Sequence, residues 1–145
     1  MHGALQAVLA EEPGTALLIG TDLPLLRRGL LSAALQALDG ADVAFGPTPD
    51  GGYYLVGLHQ PWPPLFERPA WGGRTVLEES LAAAAAQGLR AVCIAGMPDV
   101  DVASDAARVL ADPASAALGG RRAVRLLRRW VAEGRVPAQS PQAGA

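Results

Sequence analysis

The sequence predicts an α/β fold: a mostly parallel sheet with one antiparallel hairpin strand and helices on both faces. Three observations lead there. Apolar runs too short for helices alternate with stretches that repeat at helical spacing, the pattern of strands joined by crossover helices. One run, Ala16 to Gly20, contains no charged residue, as in strands buried on both faces of a parallel sheet. Finally, Val43–Phe45 and Tyr53–Leu58 flank Gly46-Pro47-Thr48-Pro49-Asp50-Gly51-Gly52, which reads as strand, turn, strand.

In chain order, residues 3–12 read as a helix with Leu5, Val8 and Leu9 on one side, stopped by Pro13-Gly14. The strand at Ala16–Gly20 runs into Thr21-Asp22-Leu23-Pro24. A helix to about Leu38 follows, with Leu26, Leu30, Leu31, Ala34, Leu35 and Leu38 at helical spacing. Beyond the hairpin, three prolines in His59–Phe66 argue against regular structure there, and Trp62, Phe66 and Trp71 are expected to pack on the core. Trp71 is the candidate pocket wall. Thr75 and Glu78 fit a capping box, opening a helix to Gln87 that Gly88 ends. A strand at Arg90–Ala95, a loop with Asp99 and Asp101, and a short helix to about Leu110 come next, Ser104 being the expected N-cap. The last helix, about 120–133, sets Val124, Leu127, Trp130 and Val131 against a face of arginines. The expected organisation is a single domain over 1–136 and a disordered tail at 137–145.

The 145 residues are 50% hydrophobic, enough for one core, and the net charge of −2 with pI about 5.6 gives no reason to expect nucleic acid or a membrane as partner. All twelve basic residues are arginine, a sign of coding bias. The single cysteine, Cys93, lies in an apolar run and is expected buried and reduced, and no Cys/His metal spacing occurs. A cytoplasmic protein without a signal peptide is the expectation.

The chemistry rests on carboxylates. Asp22, Asp50, and Asp99 with Asp101 each follow a strand, and in a parallel sheet the loops at the carboxyl ends share one edge, where ligands bind. Asp22 serves equally as an organiser of its turn, and the Asp-Gly-Gly turn is common without a ligand. Asp99 and Asp101, one residue apart in extended chain, point the same way and could share a cation. Carboxylates with no lysine and no well-placed histidine suit Mg²⁺ or Mn²⁺, whose other ligands are phosphate oxygens and water. Such an ion neutralises charge on a leaving diphosphate. No Ser/His/Asp arrangement and no Walker loop occurs. Phosphoryl or glycosyl transfer from a nucleotide therefore fits.

Gly20-Thr21-Asp22-Leu23-Pro24, then Gly46-Pro47 with Asp50-Gly51-Gly52-Tyr53-Tyr54-Leu55-Val56-Gly57-Leu58, then Pro98-Asp99-Val100-Asp101, resemble the bacterial arsenosugar-biosynthesis-type glycosyltransferases. These belong to the GT-A nucleotide-diphospho-sugar transferase superfamily. The resemblance covers roughly Leu5 to Leu110. It implies Asp22 and Asp101 as ligands of Mg²⁺ or Mn²⁺, Asp50 as the catalytic carboxylate, and Gly20, Thr21, Gly51, Gly52, Tyr53 and Trp71 at the substrates. Those substrates would be a nucleotide sugar and a small-molecule acceptor. A nucleotidyltransferase releasing pyrophosphate, or a non-catalytic remnant that binds a partner, are the alternatives.

The chain departs from the family pattern at Leu25, where an Asp is usual, and at Val102-Ala103-Ser104, where Thr-Pro-Glu is usual. The family pattern also opens with a strand and a Gly/Arg/Lys-rich nucleotide loop, so the expectation is that this chain corresponds to the C-terminal portion of the family fold. The strand at Leu17–Ile19 would then have an open edge and promote self-association.

Overall fold

A computed structural model describes residues 2–11, 14–67 and 73–136. Contacts group the chain into two compact units, Met1–Gly20 with Arg27–Met97, and Thr21–Leu26 with Pro98–Ala145. Trp71 and residues 137–145 lie outside the described residues.

The first unit is built on a four-stranded open sheet. Its elements are α1 (His2–Glu11), β1 (Ala16–Ile19), α2 (Arg28–Leu38), β2 (Val43–Pro47), β3 (Tyr53–Leu58), α3 (Val76–Ala86) and β4 (Ala91–Cys93), in the strand order β1-β3-β2-β4. β3 is antiparallel to both β1 and β2, and β2 is parallel to β4. So β1, β2 and β4 run one way and the hairpin strand β3 runs against them, as the sequence predicts. The strand ends at Ile19, Pro47 and Cys93 therefore lie at the same end of the sheet.

Phe45, Val43, Val56 and Leu58 form one apolar face, covered by Leu5 of α1, Ala84 of α3, and Leu65 and Phe66. The opposite face receives α2: a methyl group on Gly57 would lie 2.5 Å from a Leu17 methyl and 2.9 Å from one of Leu38. Trp62 packs at the margin of the first face, as expected. Asp42 ties the β2 and β4 starts together, accepting the Arg90 N–H at 2.7 Å while its own N–H donates to the Arg90 carbonyl at 2.8 Å. His59, just after β3, reaches two other segments: its Nε2–H donates to the Leu38 carbonyl and its Nδ1 is hydrogen-bonded with the Thr15 hydroxyl, both at 2.9 Å.

Between Gly46 and Pro47 the hairpin register passes from Leu55 to Tyr53, so Tyr54 is the extra residue of a β-bulge. The bulge turns Tyr53 onto Phe45, with ring centroids 5.0 Å apart at 55°. It also lays Tyr54 across Gly46, where an added Cβ would stand 2.4 Å from Cζ of the ring. The Tyr54 hydroxyl donates to the Ala95 carbonyl at 3.0 Å. Burial raises its pKa above the usual tyrosine range, and Arg27 pulls the other way more weakly. A raised folded pKa favours the neutral phenol. That contribution is complete below the unfolded value of about 10 and is lost as pH rises through the folded value. Tyr54→Phe is expected to cost about 1 kcal/mol at neutral pH. It should also show a shallower loss of stability above about pH 10 in thermal unfolding. A parallel decline in both proteins would refute the assignment.

Several local expectations change. β1 has the open edge that the resemblance implies, but with Ala16 buried and Ile19 38% exposed it is not covered on both faces. Cys93 is exposed at the end of the other edge strand, not a core residue, although partial burial still pushes its thiol pKa up. α2 begins at Arg28, after a turn in which Leu26 N–H donates to the Leu23 carbonyl, and Leu35 faces outward. Pro63–Leu65 forms one 3₁₀ turn in spite of its prolines. The Thr75 hydroxyl makes no cap and instead donates to Glu79 Oε1 at 2.6 Å.

The second unit contains α4 (Asp105–Ala111), α5 (Ala114–Ala117) and α6 (Arg122–Ala132). Leu25, Val109 and Val124 are among its fully buried side chains, and α4 packs on α6. α5 is unforeseen in the sequence reading, although Asp112-Pro113 carries its signal: the Asp112 carboxylate accepts the Ala114 N–H at 2.8 Å. Among the described residues no helix is long and apolar enough to cross a membrane.

Candidate functional site

In the first unit the hairpin turn fixes Asp50. The Thr48 N–H donates to the Gly52 carbonyl and the Gly51 N–H to the Thr48 carbonyl, closing the turn. Within it, Asp50 Oδ1 accepts the Thr48 hydroxyl at 2.5 Å and the Gly52 N–H at 3.1 Å. The turn is attached to the start of α3, where the Leu77 N–H donates to the Gly51 carbonyl at 2.9 Å. Gly51 sits at φ +94° against the Arg74 carbonyl, which explains the glycine. Asp50, Gly51 and Gly52 are thus held as one rigid piece. Gly20 and Tyr53 meet elsewhere in this unit, both lining a depression of about 240 Å³ with Leu18, Ile19 and Tyr54–Val56. The Gly20 N–H extends the β1–β3 ladder by donating to the Tyr54 carbonyl at 3.0 Å.

In the second unit the Asp22 and Asp101 segments are joined by backbone, the Val100 N–H donating to the Asp22 carbonyl at 3.1 Å. On the same loop, Asp99 and Asp101 each bring a carboxylate oxygen within 4.8 Å of the other's, as extended chain predicts. The loop is clamped from α4. Asp105, buried, accepts the N–H groups of Asp101 at 3.1 Å and Val102 at 3.0 Å through Oδ2, and its Oδ1 meets Arg108 at 3.3 Å. Ser104 holds the N-cap position but makes no side-chain cap bond. Asp105 is the residue that sequence reasoning missed. Its signal was an acid in the first turn of a helix, four residues after Asp101.

Thr21 and Asp22 line a depression of about 340 Å³ whose other walls are Leu23, Pro24, Val100, Ala123, Leu126 and Leu127. Apart from the Asp22 carboxylate and the Thr21 hydroxyl this lining is aliphatic. Leu25, at the position where an Asp is usual, is wholly buried and supplies core packing.

Asp99 and Asp101 are hard oxygen donors of the kind that a divalent cation takes.

The sequence pattern of a family described as "Uncharacterized protein conserved in bacteria (DUF2064)" matches residues 1–73. The fold is shared with the crystal structure of a "putative nucleotide-diphospho-sugar transferase" from Desulfovibrio desulfuricans G20. The two are 27% identical with a TM-score of 0.79, over 93% of this chain and 59% of that one. This chain thus spans about three fifths of that protein's length. No curated protein matches the chain.

Proposed function

We propose that this chain, which belongs to the DUF2064 family of proteins conserved in bacteria, acts as a metal-dependent transferase on a nucleotide-diphospho-sugar, passing the glycosyl group to a small-molecule acceptor. One observation carries the reading: the Asp99–Asp101 loop, with its close carboxylates, hydrogen-bonded to the Asp22 segment. The likeness in fold to a protein described as a transferase supports it. The finer assignment to the arsenosugar-type glycosyltransferases rests on the Gly20–Pro24, Asp50–Leu58 and Pro98–Asp101 motifs.

Asp22 and Asp101 would hold Mg²⁺ or Mn²⁺, which when bound offsets the charge on the diphosphate leaving group. Asp105 keeps the Asp101 backbone in place. Gly20 and Thr21 would lie at the nucleotide sugar, and Gly51, Gly52 and Tyr53 at the acceptor. Asp50 takes the acceptor hydroxyl proton on its carboxylate. The acceptor oxygen then bonds to the anomeric carbon, and the carbon–oxygen bond to the diphosphate breaks with its electron pair leaving on the nucleotide.

Calorimetric titration with UDP, GDP and UDP-sugars, with and without Mn²⁺, tests this. Binding is expected to require the metal and to be lost in Asp22→Ala and in Asp101→Ala, each by at least roughly tenfold. Metal-independent binding, or binding unchanged in both variants, would refute it. The reading also retains association of two copies along the open edge of β1. Light scattering across a concentration series should show a mass that rises with concentration, and a constant monomer mass rejects that element.

A further inference from the structure

α6 presents a second feature that the transferase reading leaves unused. Five arginines lie on one side of this short helix and its first flank, and three have partners. Arg121 donates to the Leu26 carbonyl, Arg128 donates to the Ser115 carbonyl at 3.2 Å, and Arg129 pairs with Glu133 at 3.0 Å. Arg122 and Arg125 have neither an ion pair nor a hydrogen bond among the described residues. Their spacing of three stacks like charges on adjacent turns, an arrangement that costs helix stability unless an anion offsets it. With Arg129 and Leu126 they line a depression of about 240 Å³. Leu126, 36% exposed, also lines the aliphatic depression beside Asp22. One residue is therefore the wall common to a cationic recess and an apolar one.

We propose that α6 binds a small amphipathic phosphate monoester, its phosphate on Arg122, Arg125 and Arg129 and its apolar body along Leu126 into the depression formed with Ala123 and Leu127. Guanidinium groups grip phosphate through paired N–H donors, and the aliphatic lining favours a hydrocarbon body over a second charged group. Asp22, on the same lining, repels a second anionic group and accepts a hydrogen bond from a hydroxyl. A membrane surface fits less well, because Val124 and Leu127, the apolar stripe that would insert, are buried within this unit. This binding does not rest on the transferase reading.

The test is titration of the metal-free, nucleotide-free chain with hexyl phosphate, inorganic phosphate and hexanol. Hexyl phosphate should bind roughly tenfold tighter than inorganic phosphate, since burial of even two or three methylenes supplies that factor. The Arg122→Gln/Arg125→Gln double variant should weaken hexyl phosphate roughly tenfold, and Leu126→Ser should erase the preference over inorganic phosphate. Both variants alter exposed side chains, and circular dichroism confirms that they fold. Equal affinity for the two phosphates, or an undiminished affinity in the double variant, would overturn the proposal. Mn²⁺-dependent nucleotide binding is read through Asp22 and Asp101, so its survival or loss reports separately on the transferase reading.

Discussion

Phe45→Ala is expected to lower the unfolding free energy by about 4 kcal/mol, the usual loss when a buried phenyl ring is removed and its cavity stays open. Phe45 is fully buried at the centre of β2, paired with Val56 on one side and Cys93 on the other. Its ring is the middle of the cluster formed by Val43, Leu58, Leu65, Phe66 and Ala84. The tilted contact with Tyr53 adds about 1 kcal/mol beyond area burial. Little can collapse into the gap, because the flanking strands are fixed by their ladders. Against a typical total of about 5–15 kcal/mol, the variant would be marginal at room temperature. Urea denaturation followed by circular dichroism measures this. A loss below about 1 kcal/mol would mean that Phe45 is not the packing centre.

Gly51→Ala should cost about 3 kcal/mol, from two separate causes. At φ +94° the backbone is in a region that side chains rarely enter, and the new Cβ would lie 1.8 Å from the Arg74 carbonyl oxygen. Backbone cannot swing aside as a flexible side chain can, so the turn must open. Opening it removes the Leu77-to-Gly51 hydrogen bond and the Thr48–Asp50–Gly52 arrangement with it. The neighbouring Gly52→Ala is the control. Its Cβ would meet the Thr48 hydroxyl at 3.1 Å, a contact that a small shift relieves, and its φ is ordinary. The expected cost there is under about 1 kcal/mol. Equal losses at the two positions, compared by thermal unfolding, would rule out the special role given to Gly51.

The Asp50 turn shows how far sequence reasoning reaches. Asp-Gly-Gly between two apolar runs defines a hairpin, and one of its glycines does hold positive φ. That Gly51 is the one, pinned by Arg74 twenty-three positions later in the chain, is decided by how α3 docks. The Asp101 loop is similar. Its paired carboxylates follow from alternation in extended chain, but the Asp105 clamp depends on a helix turning one acid back onto two backbone N–H groups.

By itself the sequence determined the order of the strands and of the helices apart from α5, the reversal at β3, the inward stripe of α6, and the placing of Asp22, Asp50, Asp99 and Asp101 just after strands. These are short-range properties: periodicity, turn chemistry and burial demand act over a few residues. Only the tertiary structure decided that Ile19 is exposed on β1 and that β4 lies at the other edge, which exposes Cys93. It alone introduced the Tyr54 bulge that turns Tyr53 onto Phe45 and lays Tyr54 across Gly46, and it determined which arginines of α6 have partners. Each of these depends on which distant segment supplies a neighbour, and no local pattern of residues encodes that.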